Sequence, residues 1–195
     1  MAVSFIARRY SVSVKDIQAI SDLLPDIWLV SDERNDAMLE QALGRLPRGS
    51  GFIYRHYHLN DPERWERFQS LRRIARSRDH LVILADSALT AREWGADGIY
   101  GAARSLYPRR RDLLQLATAH NLREIGEAER FGADAVLLSP VFSTFSHEND
   151  ASLGAARFRL LAQKSPVPVI ALGGMTEDNA RVLNWTRWAA IDGLS

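Results

Sequence analysis

Eight short apolar runs, separated by stretches with helical periodicity, constrain the fold of this chain more than any other feature. They predict strands at residues 27–30, 51–55, 81–85, 98–101, 113–118, 135–139, 167–172 and 189–192. Helices are predicted between them at residues 36–46, 62–76, 88–94, 121–131, 155–163 and 177–183. Alternating strands and helices favour a parallel sheet covered by helices. Residues 102–112 are short and arginine-rich, so we expect no full helix there.

The strand count selects between two α/β architectures. Eight strand–helix units predict a TIM (β/α)8 barrel, although about 250 residues are typical of that fold and this chain has 195. An open doubly wound sheet is the alternative. The sequence ends directly after the eighth predicted strand, so we expect a barrel with a truncated C-terminus that lacks a closing helix. An extra amphipathic helix, predicted over residues 14–24, would cover that place. The predicted division is an N-terminal helical extension (residues 1–25) and a barrel (residues 26–195).

A weak internal repeat supports this division into units. The segment WGADGIY at residues 94–100 recurs as FGADAVL at residues 131–137. Each copy places an aromatic residue and a glycine at a predicted helix end, where a glycine suits a helix C-cap. The segment WAAID at residues 188–192 is interpreted as a looser third copy without the glycine.

Composition excludes several classes of function. The net charge of +1 gives no general attraction to nucleic acid or to a membrane surface. The absence of cysteine excludes disulfides, thiolate metal sites and a cysteine nucleophile. No signal-peptide core is evident, and no apolar run approaches the ~20 residues of a membrane span. We expect a cytoplasmic protein with a small-molecule partner, and a homodimer remains open.

In a TIM barrel the chemistry gathers at the carboxyl ends of the strands. His120 follows the fifth predicted strand and could move protons near neutral pH, or it could simply cap or pack. Arg55 follows the second and could clamp a phosphate or carboxylate, or form an ion pair at the rim. Asp86 follows the third and could bind Mg²⁺, although capping of the next helix is favoured. His56 and His58 could share a metal, but no third ligand is evident.

A glycine pair and a hydroxyl-rich loop are the other candidate binding elements. Gly173 and Gly174 follow the seventh predicted strand and precede Thr176, which is a predicted helix N-cap. Such a turn can cradle a phosphate, or it can simply be a tight connection. The loop after the sixth strand is long enough to be functional, and we expect its Thr144 and Ser146 to contact a bound phosphate.

Several of these segments resemble the thiamine-phosphate synthase and thiazole tautomerase family. The similar segments are GADAVLLSPVFST at residues 132–144, SH at 146–147, LG at 153–154, PVIALGGM at 168–175 and IDGLS at 191–195. The resemblance covers residues 26–195 and is most specific between residues 132 and 174. It implies a TIM barrel of thiamine biosynthesis that holds a thiazole phosphate on the backbone of Gly173, Gly174 and Ser195. It also implies that His120 matches the histidine of the tautomerases.

The departures from the synthase pattern fall on one half of the implied site. The synthases ionise an aminopyrimidine diphosphate with Mg²⁺ and join the pyrimidine to the thiazole nitrogen. At residues 55–57 the sequence RHY loses the lysine of their Arg-x-Lys motif, and at residues 85–87 ADS keeps only the aspartate of their Asn-Asp-Arg motif. The acidic residue that they carry after the fourth strand is absent from AAR at residues 102–104, and the lysine of their sixth loop is absent from TFSH at residues 144–147.

Three functions follow from these departures. The favoured hypothesis is thiazole-phosphate binding with tautomerase-type proton transfer, in which His120 is the acid/base and Arg55 orients an acidic group. A thiamine-phosphate synthase with substituted groups is the first alternative, and only that function would need Mg²⁺ as a cofactor. The second alternative is a catalytically degenerate barrel that binds a phosphate or a protein partner.

Overall fold

The computed structural model describes residues 23–143 and 152–194 as a closed parallel barrel. Its strands are β1 (Ile27–Val30), β2 (Gly51–Tyr54), β3 (Leu81–Leu84), β4 (Gly98–Ala102), β5 (Leu114–Ala119), β6 (Ala135–Leu138), β7 (Val169–Leu172) and β8 (Trp188–Ala190). Each strand pairs with its sequence neighbours, and β8 pairs with β1. The predicted TIM barrel is confirmed, and the open sheet is excluded.

Six helices surround the strands in the described part of the chain. They are α1 (Leu39–Arg45), α2 (Asp61–Ser77), α3 (Ala88–Trp94), α4 (Leu122–Arg130), α5 (Gly154–Gln163) and α6 (Glu177–Leu183). Short 3-10 turns follow β1 (Glu33–Met38), β4 (Ala103–Leu106) and β8 (Asp192–Leu194). The four-residue turn after β4 confirms that no full helix forms there. Among the helices of residues 23–143 and 152–194, none has the length and apolar character of a membrane span.

The core has two layers separated by the strands. Inward-facing side chains such as Trp28, Ile53, Leu116 and Ile170 fill the barrel, while alternate residues pack outward against the helices. The ring of Trp28 lies so close to Gly51 that any Cβ there would overlap it. The predicted extension and its helix over residues 14–24 lie almost entirely outside the described residues, so the division at residue 25 stays a prediction.

The sequence repeat has a structural cause. Asp97 and Asp134 are buried just before β4 and β6, and each carboxylate accepts the backbone N–H of the preceding strand, from Val82 at 2.8 Å and from Gln115 at 2.9 Å. Each also binds an arginine. The interpretation of residues 188–192 as a third copy is wrong, because Asp192 follows its strand and its side chain is 60% exposed.

We expect Asp97→Ala to lower the free energy of unfolding by about 2–3 kcal/mol, since it leaves the buried amide of Val82 without its acceptor and removes the carboxylate partner of Arg76. Urea denaturation measures the change. Asp178→Ala is the matched control, because that carboxylate is 89% exposed. Equal effects of the two substitutions would contradict the proposed role of the repeat.

Candidate functional site

Arg55 lies directly after β2 and is tied to the end of β1. Its Nη2 donates to Asp32 Oδ2 at 2.7 Å, and its Nε donates to the backbone oxygen of Ser31 at 3.1 Å. The rim ion pair that the sequence left open is therefore present. The neighbouring Tyr100 is buried in the barrel mouth, where burial raises the pKa of its hydroxyl and the Arg55 charge opposes the rise.

A buried hydrogen-bond chain fixes the backbone of Arg55. The Arg55 N–H donates to Ser31 Oγ at 2.8 Å, and that oxygen lies 2.8 Å from His56 Nδ1. His56 Nε2 lies 2.6 Å from Asp36 Oδ1, which can only accept while ionised. The network assigns the proton to Nε2, so Nδ1 accepts from the Ser31 hydroxyl. Because both ring nitrogens are used, His56 cannot share a metal with His58.

Asp86 is neutralised from within the protein. Arg64 is buried and donates from Nη1 to Asp86 Oδ2 at 2.5 Å and from Nη2 to the backbone oxygen of Ala85 at 3.0 Å. Partial burial works against the Asp86 charge, but the hydrogen bonds from Arg64 and Ser87 outweigh it and lower the pKa of Asp86. The prediction that Asp86 caps the next helix is wrong, because Ser87 accepts the Thr90 N–H and is the N-cap of α3.

Three aromatic rings surround the Arg64 guanidinium. Its central carbon lies 5.8 Å from the ring centroids of Tyr54 and Tyr57 and 5.4 Å from that of Trp94. Arg64 Nε also donates to the backbone oxygen of Arg55 at 3.1 Å. The Arg64 guanidinium therefore places a buried positive charge at the mouth between β2 and β3.

His120 lies directly after β5. Glu124 Oε2 accepts from both the backbone N–H and the ring Nδ1 of His120, each at 2.8 Å. Partial burial opposes ionisation of Glu124, but the hydrogen bonds from His120 and Asn121 prevail and lower its pKa. The carboxylate therefore orients the ring and leaves Nε2 directed away from it. The His120 side chain is 56% exposed.

The glycine pair after β7 forms one wall of a cavity of about 270 Å³. Gly173 and Gly174 have φ of 95° and 62°, and a Cβ on either would come within 2.7 Å of the loop after β6. The glycines are therefore required by the close approach of that loop, whether or not a ligand binds. Gly193, after β8, packs still more closely on the backbone of Met175 and also lines the cavity.

The remaining predicted contacts lie outside the described residues. These are Ser195, Thr144 and Ser146. The base of the loop that carries the last two is fixed, because the N–H groups of Leu153 and Gly154 donate to the carbonyls of Pro140 and Val141, each at 2.9 Å.

Sequence reasoning missed three residues of the site. Arg64 occupies the apolar face of α2 in register with Phe68 and Leu71, so its position in that stripe was a usable signal. Glu124 lies three residues after the predicted N-cap Asn121, and a carboxylate at that position can reach back to the groups that precede the helix. Arg34 lines the cavity beside Gly173, and no pattern in the sequence points to it.

The sequence is similar to that of a known protein family. A model of the thiamine monophosphate synthase family matches residues 27–191. The chain belongs to this family. Thiamine-phosphate synthase from Pyrococcus furiosus is 28% identical over 179 residues, which cover 87% of this chain and 83% of the relative.

Solved structures of similar proteins have the same fold. Thiamine phosphate pyrophosphorylase from Pyrococcus furiosus matches with a TM-score of 0.71 at 25% identity and covers 88% of this chain and 87% of that one. The protein of the same name from Bacteroides thetaiotaomicron matches with a TM-score of 0.57 at 18% identity, covering 85% and 82%. The second likeness concerns the fold alone.

The residues of this family member do not fit Mg²⁺. The ion requires several oxygen ligands in near-octahedral geometry, usually including carboxylates. Both oxygens of Asp86 are hydrogen-bonded, one of them to the Arg64 guanidinium, whose charge would repel a cation.

We expect Arg64→Met to destabilise the fold by about 1–3 kcal/mol, because it removes the hydrogen bonds that Arg64 donates to Asp86 and to two backbone oxygens. Thermal or urea unfolding measures the loss. Arg92→Met is the matched control: the Arg92–Asp112 pair is exposed on the surface, and its removal should be nearly neutral. A neutral Arg64→Met would show that the internal cation is dispensable.

The buried histidines predict a loss of stability in mild acid. Burial lowers the pKa of both His56 and His80 below the value of about 6.5 typical of an unfolded chain. As the pH falls below about 7, the unfolded chain therefore binds more protons than the folded protein does. The stability that these two histidines contribute is complete above the unfolded pKa and is lost as the pH falls through the folded pKa.

Removing either histidine should flatten the pH profile. His56→Gln is expected to reduce the slope of unfolding free energy between pH 5 and 7 by up to about 1.4 kcal/mol per pH unit. His80→Gln should reduce the slope by a similar amount, and the double variant should reduce it by the sum of the two. Urea titrations at several pH values provide the measurement, and an unchanged slope in His56→Gln would refute the assignment.

Proposed function

We propose that this family member acts in thiamine biosynthesis by binding a thiazole phosphate and moving a proton on its ring. The observation that carries the proposal is the His120–Glu124 pair at the mouth. A carboxylate that accepts from Nδ1 leaves Nε2 as a base, and the same nitrogen can return the proton to another ring atom. The shift is an isomerisation, so it needs no metal, redox partner or second substrate.

The two ends of the ligand have candidate partners on this chain. The cavity bounded by Gly173, Gly174 and Gly193 is large enough for a phosphate group. At the other end, Arg55 would orient an acidic group of the substrate. Arginine carries five N–H donors, and the contacts with Asp32 and Ser31 use two of them. The guanidinium therefore retains donors for a carboxylate.

We expect His120→Gln to lower turnover of a thiazole carboxylate phosphate by about 10²–10⁴-fold while ligand affinity stays within about tenfold, since acid–base groups act mainly on rate. Glu124→Gln should lower turnover in the same direction. Glu129→Gln, on the exposed face of the same helix, is the control. Proton exchange followed by NMR measures the reaction. Wild-type turnover in His120→Gln would remove that residue from the mechanism.

A thiamine-phosphate synthase is the second candidate, and the names of the relatives favour it. The Arg64–Asp86 pair argues against it, because that pair occupies the carboxylate a metal would need. An assay with the aminopyrimidine diphosphate, the thiazole phosphate and Mg²⁺ separates the two functions. Formation of thiamine phosphate would replace the proposal, whereas thermal stabilisation by thiazole phosphate without any turnover would indicate a degenerate binding protein.

A further inference from the structure

Arg34 brings positive charge to the cavity beside the glycine turns. Its Nε donates to Asp32 Oδ1 at 2.8 Å, while its Nη1 lies 3.5 Å from Asp192 Oδ2. These two contacts differ in strength. The first is a charge-assisted hydrogen bond, whereas the second is a long contact to an exposed carboxylate and is worth little in water. Arg34 and Asp192 are the charged residues among the described ones that line this cavity.

The backbone that carries Arg34 is held rigidly. The adjacent Asn35 is buried, and its Nδ2 donates to the backbone oxygens of Val30 at 3.1 Å and Ile191 at 2.9 Å. Its Oδ1 accepts the Asp32 N–H at 2.9 Å. The 3-10 turn is thereby fastened to the ends of both β1 and β8. An arginine on such a turn needs little reordering to meet a ligand.

Asp32 connects this arginine to the one at the barrel mouth. Its Oδ1 accepts from Arg34 and its Oδ2 accepts from Arg55, at 2.8 Å and 2.7 Å. Burial alone would raise the pKa of Asp32, but the hydrogen bonds from Arg34 and the charge of Arg55 lower it. One ionised carboxylate therefore holds two guanidinium groups, one facing the cavity and one facing the mouth.

We propose that Arg34 selects phosphorylated ligands at the cavity, and that Asp32 is a positioning residue that sets Arg34 and Arg55 for the two anionic ends of one ligand. The assignment rests on the proposed function for the location of the phosphate. A bound phosphate replaces Asp192 as the partner of Arg34 Nη1, because the phosphate carries more charge and can accept a shorter hydrogen bond. The ligand class is a heterocycle with a phosphate at one end and a carboxylate at the other.

Calorimetry with a thiazole monophosphate, its dephosphorylated alcohol and inorganic phosphate tests the role of Arg34. Arg34→Ala should weaken binding of the monophosphate by about 10- to 100-fold and leave binding of the alcohol unchanged. Arg34→Lys should restore part of the loss. Asp192→Asn should tighten binding of the monophosphate several-fold, because it removes the carboxylate that competes for Arg34. Melting without ligand controls for folding.

The role of Asp32 is tested by Asp32→Asn, which keeps a side chain able to cap the 3-10 turn but removes the shared charge. Asp32→Asn should weaken binding of both the monophosphate and a carboxylate-bearing thiazole, whereas Arg34→Ala should weaken binding of the phosphate-bearing ligand alone. Equal effects of Arg34→Ala on the monophosphate and the alcohol would overturn the inference, as would an unchanged affinity for the monophosphate.

The outcomes separate this inference from the proposed function. Turnover of the thiazole substrate by wild type, with Arg34→Ala binding and reacting normally, would refute the role of Arg34 and leave the function standing. Arg34-dependent binding of inorganic phosphate or monophosphate without any turnover would support the role of Arg34 in phosphate binding and refute the proton transfer. Failure of wild type to bind either phosphate would refute both.

Discussion

Closure of the barrel between β8 and β1 is the constraint on which the rest of the site depends. The pairing of Trp28 with Ala189 completes the sheet and brings the two chain segments that follow these strands together at the mouth. Asn35 reinforces the closure by donating to carbonyls at the ends of both strands. Without this pairing, Arg34 and the glycine turn after β7 would belong to distant parts of the chain.

The mouth that results contains three arginines with different electrostatic roles. Arg64 is buried and donates to Asp86 and to two backbone oxygens, so it stabilises the fold locally and has little capacity left for a ligand. Arg55 shares Asp32 with Arg34 and is partly exposed. The available positive charge therefore increases from the β2–β3 side of the mouth toward the β8–β1 side.

How much of this could be predicted from sequence depends on the length scale of each interaction. The strands and helices follow from short-range periodicity, and the caps at Asn121 and Thr176 follow from local hydrogen bonds. The repeated aspartates were visible as a pattern, but their function was not, because the amides they accept lie 15 and 19 residues away. The false third copy at residues 188–192 resembles the other two in composition, but its aspartate follows its strand, whereas the other two aspartates precede theirs.

The candidate site was less predictable for the same reason. His120 and Arg55 were predicted because TIM barrels place chemistry at strand ends, and Glu124 lies in the first turn of the helix that follows His120. Arg64 stood in an apolar stripe, where a charge requires a buried partner. The contact between Arg34 and Asp192 joins residues 158 positions apart in the chain, so only barrel closure reveals it.

The distribution of charge bears on which reaction the mouth can support. A metal-dependent ionisation of a diphosphate requires ionised carboxylates, and the one at Asp86 is paired with the Arg64 guanidinium, whose charge would repel a cation. A proton shift requires only an oriented base and a fixed ligand. In the proposed function the His120–Glu124 pair would supply the oriented base, and the cavity that Arg34 lines would hold the ligand. The Arg64 charge that opposes a metal at Asp86 does not line the cavity beside Arg34, so the proposed proton transfer would not depend on a metal at Asp86.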